Sequence, residues 1–321
     1  MITEGDAPRV VTLGETMALM RTREIGSLRH ATELALGIGG AESNVAIGLQ
    51  RLGVDATWIG RVGDDPLGER VVRELRGEGL DVRVIVDAEG PTGLMIKDRP
   101  TSASTRVQYY RAGSAGSRLR EDDVPAGVIE EAAMLHVSGI TALVSDSARA
   151  AVSRAVDRAH AAGVRVSFDI NYRSALGGVD VAGPILRSFA ERAGIVFGGP
   201  EELELLYPGL DAAQAADRLR EAGCAEVVLK RGADGAAVFV GADVIEAAGF
   251  LVDVVDTVGA GDAFVAGYLS GALAGLDVRA RLRRANACGA LLCMSPGDWE
   301  SSPSLAEVER FGDAGVDPVS R

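Results

Sequence analysis

Apolar positions along the chain alternate between two periods. Val10–Leu13 is a short apolar run closed by Gly14, the pattern of a buried opening strand. Over residues 41–53 the period becomes helical: Val45, Leu49 and Leu52 share one face, and Gly53 stands where a left-handed cap ends a helix. Residues 57–62 then read as a strand and 67–80 as a helix ending near glycine. The pattern changes over about 85–111, where 93–96 and 105–110 are short β-type runs around a polar turn at 98–104, a hairpin-like insertion. Beyond it the order is strand Met134–Ser138, helix 145–162, strand 164–170, strand Ile195–Gly198, helix 212–222 and strand Glu226–Lys230. Ala236–Val240 reads as a hairpin arm, and helices follow near 262–274 and 277–293.

Such alternation implies parallel βαβ units with right-handed crossovers. The expected fold is one α/β body: a doubly wound, mostly parallel sheet flanked by helices, carrying a small β insertion. No solenoid repeat or low-complexity linker divides it. In such sheets ligands bind beyond the carboxyl ends of the strands, which directs attention to the junctions that follow them.

Composition narrows the chemistry. The 321 residues carry 33 basic and 46 acidic side chains, a formal net charge of −13, so the basic face that nucleic acid needs is not expected. Lys97 and Lys230 are the only lysines and neither follows a glycine, which excludes a P-loop. Cys224, Cys288 and Cys293 form no Cys-x-x-Cys pair, and His30, His136 and His160 have no metal-ligand spacing, so reduced core thiols and no zinc site are expected. The first eleven residues hold no apolar core of signal-peptide length, and no apolar run approaches the ~20 residues that span a bilayer. A cytoplasmic protein without a membrane partner is the expectation.

The most informative junction is Asp256-Thr257-Val258-Gly259-Ala260-Gly261-Asp262, followed by an apolar helix. Glycines at a loop-to-helix junction expose consecutive N–H groups, and the helix dipole adds positive potential, so the loop suits an anion. Asp262 beside it is placed to take a proton from a hydroxyl attacking a phosphoryl group held there. The same residues also suit a plain helix start at which Asp262 complements the dipole. A second junction, residues 37–46, departs from the dinucleotide fingerprint because Glu42 stands at the third glycine position, and it also suits a helix N-cap.

Taken together these elements resemble the ribokinase-like, or PfkB-type, carbohydrate kinases. The resemblance runs from Gly14-Glu15 through residues 60–68 to the end of the chain. It implies a ribokinase-like fold with a β-sheet lid built from about 17–35 and 88–112, within a single kinase domain. It further implies that Gly259, Ala260 and Gly261 form the anion hole, that Asp262 is the catalytic base, and that Asp256 and Thr257 shape the loop near the nucleotide phosphates. Gly39, Gly40 and Asn44 match the family's sugar-binding signature. Adenine is expected between residues 229–235, with Lys230, Gly232 and Gly235, and the late helix around Asn286 and Gly289. Lys230 or Arg231 either reaches a phosphate or faces solvent. The family's Asn-x-x-Glu element aligns with residues 199–202, leaving Glu202 near magnesium and Gly199 in place of the Asn. ATP and Mg2+ are the implied cofactors, a monovalent cation is left open, and lid-to-lid packing in a homodimer or larger homo-oligomer is expected.

For the substrate, Tyr109-Tyr110-Arg111 at the exit of the insertion and Asn171-Tyr172-Arg173 after a core strand each bring an arginine to the sugar side. A guanidinium grips a carboxylate through two parallel hydrogen bonds, so a pair of arginines suggests a sugar acid, although both also suit an ordinary surface. Both motifs resemble the 2-keto-3-deoxygluconate kinases of the family, in which Tyr109, Arg111 and Arg173 would contact the keto acid. Met95 and Gly177-Gly178 depart from that branch, where a tyrosine and a tryptophan are common. The expected reaction is transfer of phosphate from ATP to the terminal hydroxyl, giving the 6-phosphate. A kinase of a neutral sugar such as fructose or ribose, and a non-catalytic sensing homologue, are the alternatives.

Overall fold

The computed structural model describes residues 8–101 and 104–312. The first seven residues of the N-terminal segment expected to lack a signal peptide, and residues 102 and 103 of the expected polar turn, lie outside the described residues.

In chain order the strands are β1 (Val10–Leu13), β2 (Met17–Thr22), β3 (Leu34–Gly39), β4 (Ala56–Gly63), β5 (Asp81–Asp87), β6 (Leu94–Thr101), β7 (Ser104–Tyr110), β8 (Met134–Ser138), β9 (Arg165–Asp169), β10 (Ile195–Gly198), β11 (Glu226–Lys230), β12 (Ala236–Val240) and β13 (Asp243–Ala247). Among the described residues they form a nine-stranded sheet, in the order β13-β12-β11-β10-β9-β8-β1-β4-β5, and a four-stranded lid, β3-β2-β6-β7. All neighbours from β11 to β5 are parallel, whereas β12 and β13 add antiparallel at the far edge. The helices are α1 (Ala41–Arg51), α2 (Pro66–Gly77), α3 (Gly139–Val144), α4 (Asp146–Ala162), α5 (Val179–Ala190), α6 (Pro200–Leu206), α7 (Ala212–Glu221), α8 (Ala260–Leu273), α9 (Val278–Cys293) and α10 (Leu305–Gly312).

The central strands are apolar at nearly every position because helices cover both faces of the sheet. Successive residues point oppositely, so Val196 joins a core with Leu186 of α5 and the alanines of α4, while Phe197 joins another with Trp58, α1, α8 and α9. Phe197 meets Phe264 and Tyr268 of α8 edge-on, which seats that helix against the sheet. His136 on β8 is a satisfied core residue: its Nδ1 lies 3.0 Å from Ser167 Oγ, and burial, with the charge of Lys230, pushes its pKa down to about 3. Cys224, Cys288 and Cys293 are free thiols. No described helix is long and apolar enough to cross a membrane.

Several expectations need correction. Residues 81–87, partly assigned to the insertion, form β5 at the sheet edge; its Asp81 and Arg83 disguise it because an edge strand tolerates charge. The turn expected from residue 98 begins later, since β6 continues to Thr101 and pairs Asp98 with Arg106 of β7. The lid expected from about 17–35 and 88–112 is borne out as a four-stranded sheet, in which β2 and β6 pair in parallel across the 71 residues between Thr22 and Leu94. Helix α5 escaped notice because it follows two glycines and contains Pro184.

Candidate active site

The loop before α8 divides two cavities. Val258, Gly259 and Asp262 face a cleft of about 710 Å³ under the lid, whereas Thr257, Ala260 and Gly261 face a second cavity of about 410 Å³ on the opposite side. Gly259 has φ +83°, and a Cβ there would stand 1.8 Å from the carbonyl oxygen of Asp298, so both conformation and contact require glycine. Its turn starts α8 at the wall shared by the two cavities; the Gly259 and Gly261 N–H groups have no backbone acceptor there, whereas the Ala260 N–H donates to the Thr257 carbonyl at 3.2 Å.

Asp262, in the first turn of α8, is buried, and Asn44 Nδ2 donates to its Oδ2 at 2.8 Å. Helix packing sets this contact: Gly48, one turn beyond Asn44, leaves room for α8, where an added Cβ would come within 2.7 Å of Ala266 Cβ. Burial pushes the Asp262 pKa up to about 7; the Asn44 hydrogen bond lowers it, the charge of Asp169 raises it, and Arg173 and Lys230 lower it. A carboxylate so poised takes up or releases a proton near neutrality.

The large cleft gathers Gly40, Asn44, Tyr109, Arg111 and Arg173 of the sugar-side residues, with Glu15, Met95, Asn171 and Asp298. Gly39 lies just behind this surface, where a Cβ would collide with Met95 and Asp298. Tyr109 is 42% exposed at the cleft, while Tyr110, 57% exposed, is turned away from its lining. The two arginines differ. Arg111 is already paired, with Nη2 and Nε 2.6 and 2.8 Å from Oε2 of the buried Glu15, which also accepts from the Ser114 hydroxyl. The pair of arginines expected to grip a carboxylate is therefore reduced to one, because Glu15 already takes Arg111. Arg173 has no ion-pair partner among the described residues, and it is exposed at the cleft.

The second cavity brings together Lys230, Gly232, Gly235, Asn286 and Gly289, the residues assigned to the adenine side, with Thr257, assigned to the phosphates, and is lined further by Phe250, Leu251 and Val254, which sequence reasoning missed. Asn286 faces the wall, its Nδ2 donating to the carbonyls of Ala247 and Ala248. Lys230 Nζ lies 2.6 Å from Asp169 Oδ1 and 3.9 Å from where a Cβ of Gly261 would stand. Burial opposes its charge, but Asp169, Glu202 and Asp262 hold its pKa above the ordinary value. Arg231 instead pairs with Glu246 on the surface side. Glu202 uses both oxygens locally, accepting from Tyr172 N–H at 2.8 Å and Gly199 N–H at 2.7 Å. Asp256 lines neither cavity; it accepts from Val258 N–H and pairs with Lys97 on the lid, correcting the expectation that it lies near the nucleotide phosphates.

A model of the pfkB family carbohydrate kinases matches residues 7–305. The chain belongs to that family. This kinase is 36% identical over 307 residues to a 2-dehydro-3-deoxygluconokinase of Bacillus subtilis, covering 94% of each chain. It is 34% identical to a 2-dehydro-3-deoxygalactonokinase of Haloferax volcanii, over 96% of this chain and 98% of that one. Its fold matches a putative ribokinase II of E. coli in complex with ATP and Mg2+, with TM-score 0.88 and 27% identity, covering 95% and 98% of the two chains. The protein is an ATP-dependent carbohydrate kinase with a sugar and ATP as its ligands.

Proposed function

We propose that this kinase phosphorylates a sugar acid, 2-keto-3-deoxygluconate (2-dehydro-3-deoxygluconate), on its terminal hydroxyl to give the 6-phosphate. The observation that carries the substrate class is Arg173, a guanidinium at the sugar cleft without an acidic partner among the described residues. The sugar-acid kinases named above support the same reading.

In this reading the sugar lies against Gly40 and Asn44, with Gly39 just behind them, and its carboxylate on Arg173 with Tyr109 beside it. Arg111 holds Glu15 and Ser114 in place at the same wall. ATP occupies the second cavity, its transferred phosphoryl group held by N–H groups of Gly259 and Gly261, with that of Ala260 shared with the Thr257 carbonyl, and with Lys230 and Thr257 on the phosphate side. The hydroxyl oxygen forms a bond to phosphorus as the bond to ADP breaks, and Asp262 receives the hydroxyl proton. Dispersal of phosphate charge is what Mg2+ supplies when bound. Asp169, with one oxygen on Lys230, and Glu202, with each oxygen accepting one backbone N–H, keep lone pairs for water and so fit an ion carried mainly by phosphate oxygens and water. A cytoplasmic location belongs to this proposal, as does a dimer through the lid, where Leu34, Leu36 and Tyr110 are exposed.

The deciding assay is ATP consumption with a panel of acid and neutral sugars. Turnover highest with 2-keto-3-deoxygluconate or its galactonate epimer is expected; faster turnover with fructose or ribose overturns the substrate, and none with any sugar favours a sensing role.

Proton transfer to Asp262 also sets the pH dependence. Its ionised form is the active one, so kcat/KM in the free enzyme is expected to fall about tenfold per pH unit below about 7. The Asn44 hydrogen bond favours that ionised form, so Asn44→Ala should move the acid limb to higher pH. An unmoved limb would assign the limb to another group.

A further inference from the structure

One of the two lysines lies outside the mechanism above. Lys97, on lid strand β6, is 3% exposed, and its Nζ sits 2.7 Å from Asp256 Oδ2 and 2.6 Å from Asp298 Oδ1. The three residues come from separate parts of the chain and meet behind the phosphate-binding loop. Asp256 opens that loop and accepts from the N–H groups of Val258 and Gly297. Asp298 lies against its central turn, its carbonyl occupying the space a Gly259 side chain would need. Asp298 also lines the sugar cleft beside Met95, two residues from Lys97.

Two buried carboxylates this close to one cation are held by it. Burial disfavours their charge, and without the ammonium they would repel each other across the loop that sets the N–H groups of the anion hole. A single ammonium with three N–H donors satisfies both and, being on β6, ties the lid to the loop.

We propose that Lys97 is a positioning residue, a built-in cation that fixes the phosphate-binding loop to the lid, so that the wild-type kinase needs no added monovalent cation. The inference rests on the kinase reading for its effect on turnover, while the cation dependence of folding stability tests it separately.

Two variants separate charge from volume. Lys97→Ala removes the ammonium and opens a space beside an existing cavity of about 110 Å³ that touches Lys97 and Asp256. Lys97→Met keeps most of the volume without the charge. Each is compared in potassium or ammonium chloride and in choline chloride, whose cation is too large, at equal ionic strength. Wild-type kcat and thermal midpoint should be the same in all three salts. Lys97→Ala in choline should lose about 100-fold in kcat with little change in the sugar KM, because a displaced anion hole penalises the transition state more than binding. Potassium or ammonium should restore much of that loss and raise the thermal midpoint. Lys97→Met should show the same loss without rescue, and it decides the matter if Lys97→Ala does not fold. The proposal is overturned if Lys97→Ala is indifferent to cation identity, if Lys97→Met keeps wild-type kcat, or if the wild type requires potassium or ammonium. Should the wild type phosphorylate no sugar acid, the substrate reading fails, and the thermal comparison still decides the role of Lys97.

Discussion

Asp262→Asn is expected to bind sugar and ATP with near wild-type affinity and to turn over about 10²- to 10⁴-fold more slowly, the range for loss of a general base. The amide keeps a similar shape and a hydrogen-bonding position opposite Asn44, so the defect should fall on kcat rather than on KM. The same substitution should raise stability at pH 8. Burial lifts the folded-state pKa to about 7, well above the ordinary value of 3.8, so the native protein binds this proton more tightly than the unfolded chain does. That contribution is present at low pH and is lost as pH rises through about 4 to 7, leaving an ionised buried carboxylate near Asp169 at pH 8. Removing it relieves the cost. A kcat that survives, measured alongside a raised thermal midpoint, would leave Asp262 as a structural helix-start residue.

The second large effect concerns the arginines, which the structure treats unequally. Arg173→Ala should lower kcat/KM for the sugar acid by about 10- to 100-fold, the worth of a charged hydrogen bond of about 1.5 to 3 kcal/mol, while leaving a neutral analogue nearly unaffected. The comparison belongs at pH 8.5, since the positive charge of Arg173 also lowers the Asp262 pKa and its loss would move the acid limb upward. Arg111→Ala should instead destabilise the fold, by about 3 to 5 kcal/mol, because it leaves the buried Glu15 unpaired. Glu15→Gln in the same chain should recover much of that stability. Equal loss toward acid and neutral sugars in Arg173→Ala would remove the carboxylate from the proposal.

Much of this was legible in the chain. The parallel sheet announced itself because strands covered on both faces are apolar throughout, and β1, β8, β10 and β11 fall where those runs do. Edge and lid strands were harder: β5 and β13 each carry charge on an open face, and the parallel pairing of β2 with β6 leaves no local trace. The scarcity of lysine was the unused signal. In a chain that otherwise relies on arginine, both lysines are held by buried aspartates at the phosphate-binding loop or the cavity beside it.

By itself the sequence determined the family, the glycine turn before α8 and the carboxylate at its start, because an anion hole of backbone N–H groups is a local object written in consecutive residues. Tertiary structure alone decided how each charge is spent. Asn44 reaches Asp262 across 218 residues, Lys97 reaches Asp298 across 201, and Arg111 reaches Glu15 across 96. No local pattern encodes such partners; packing brings them together, and burial then makes each pairing matter for pKa, stability and the charge left free for a substrate.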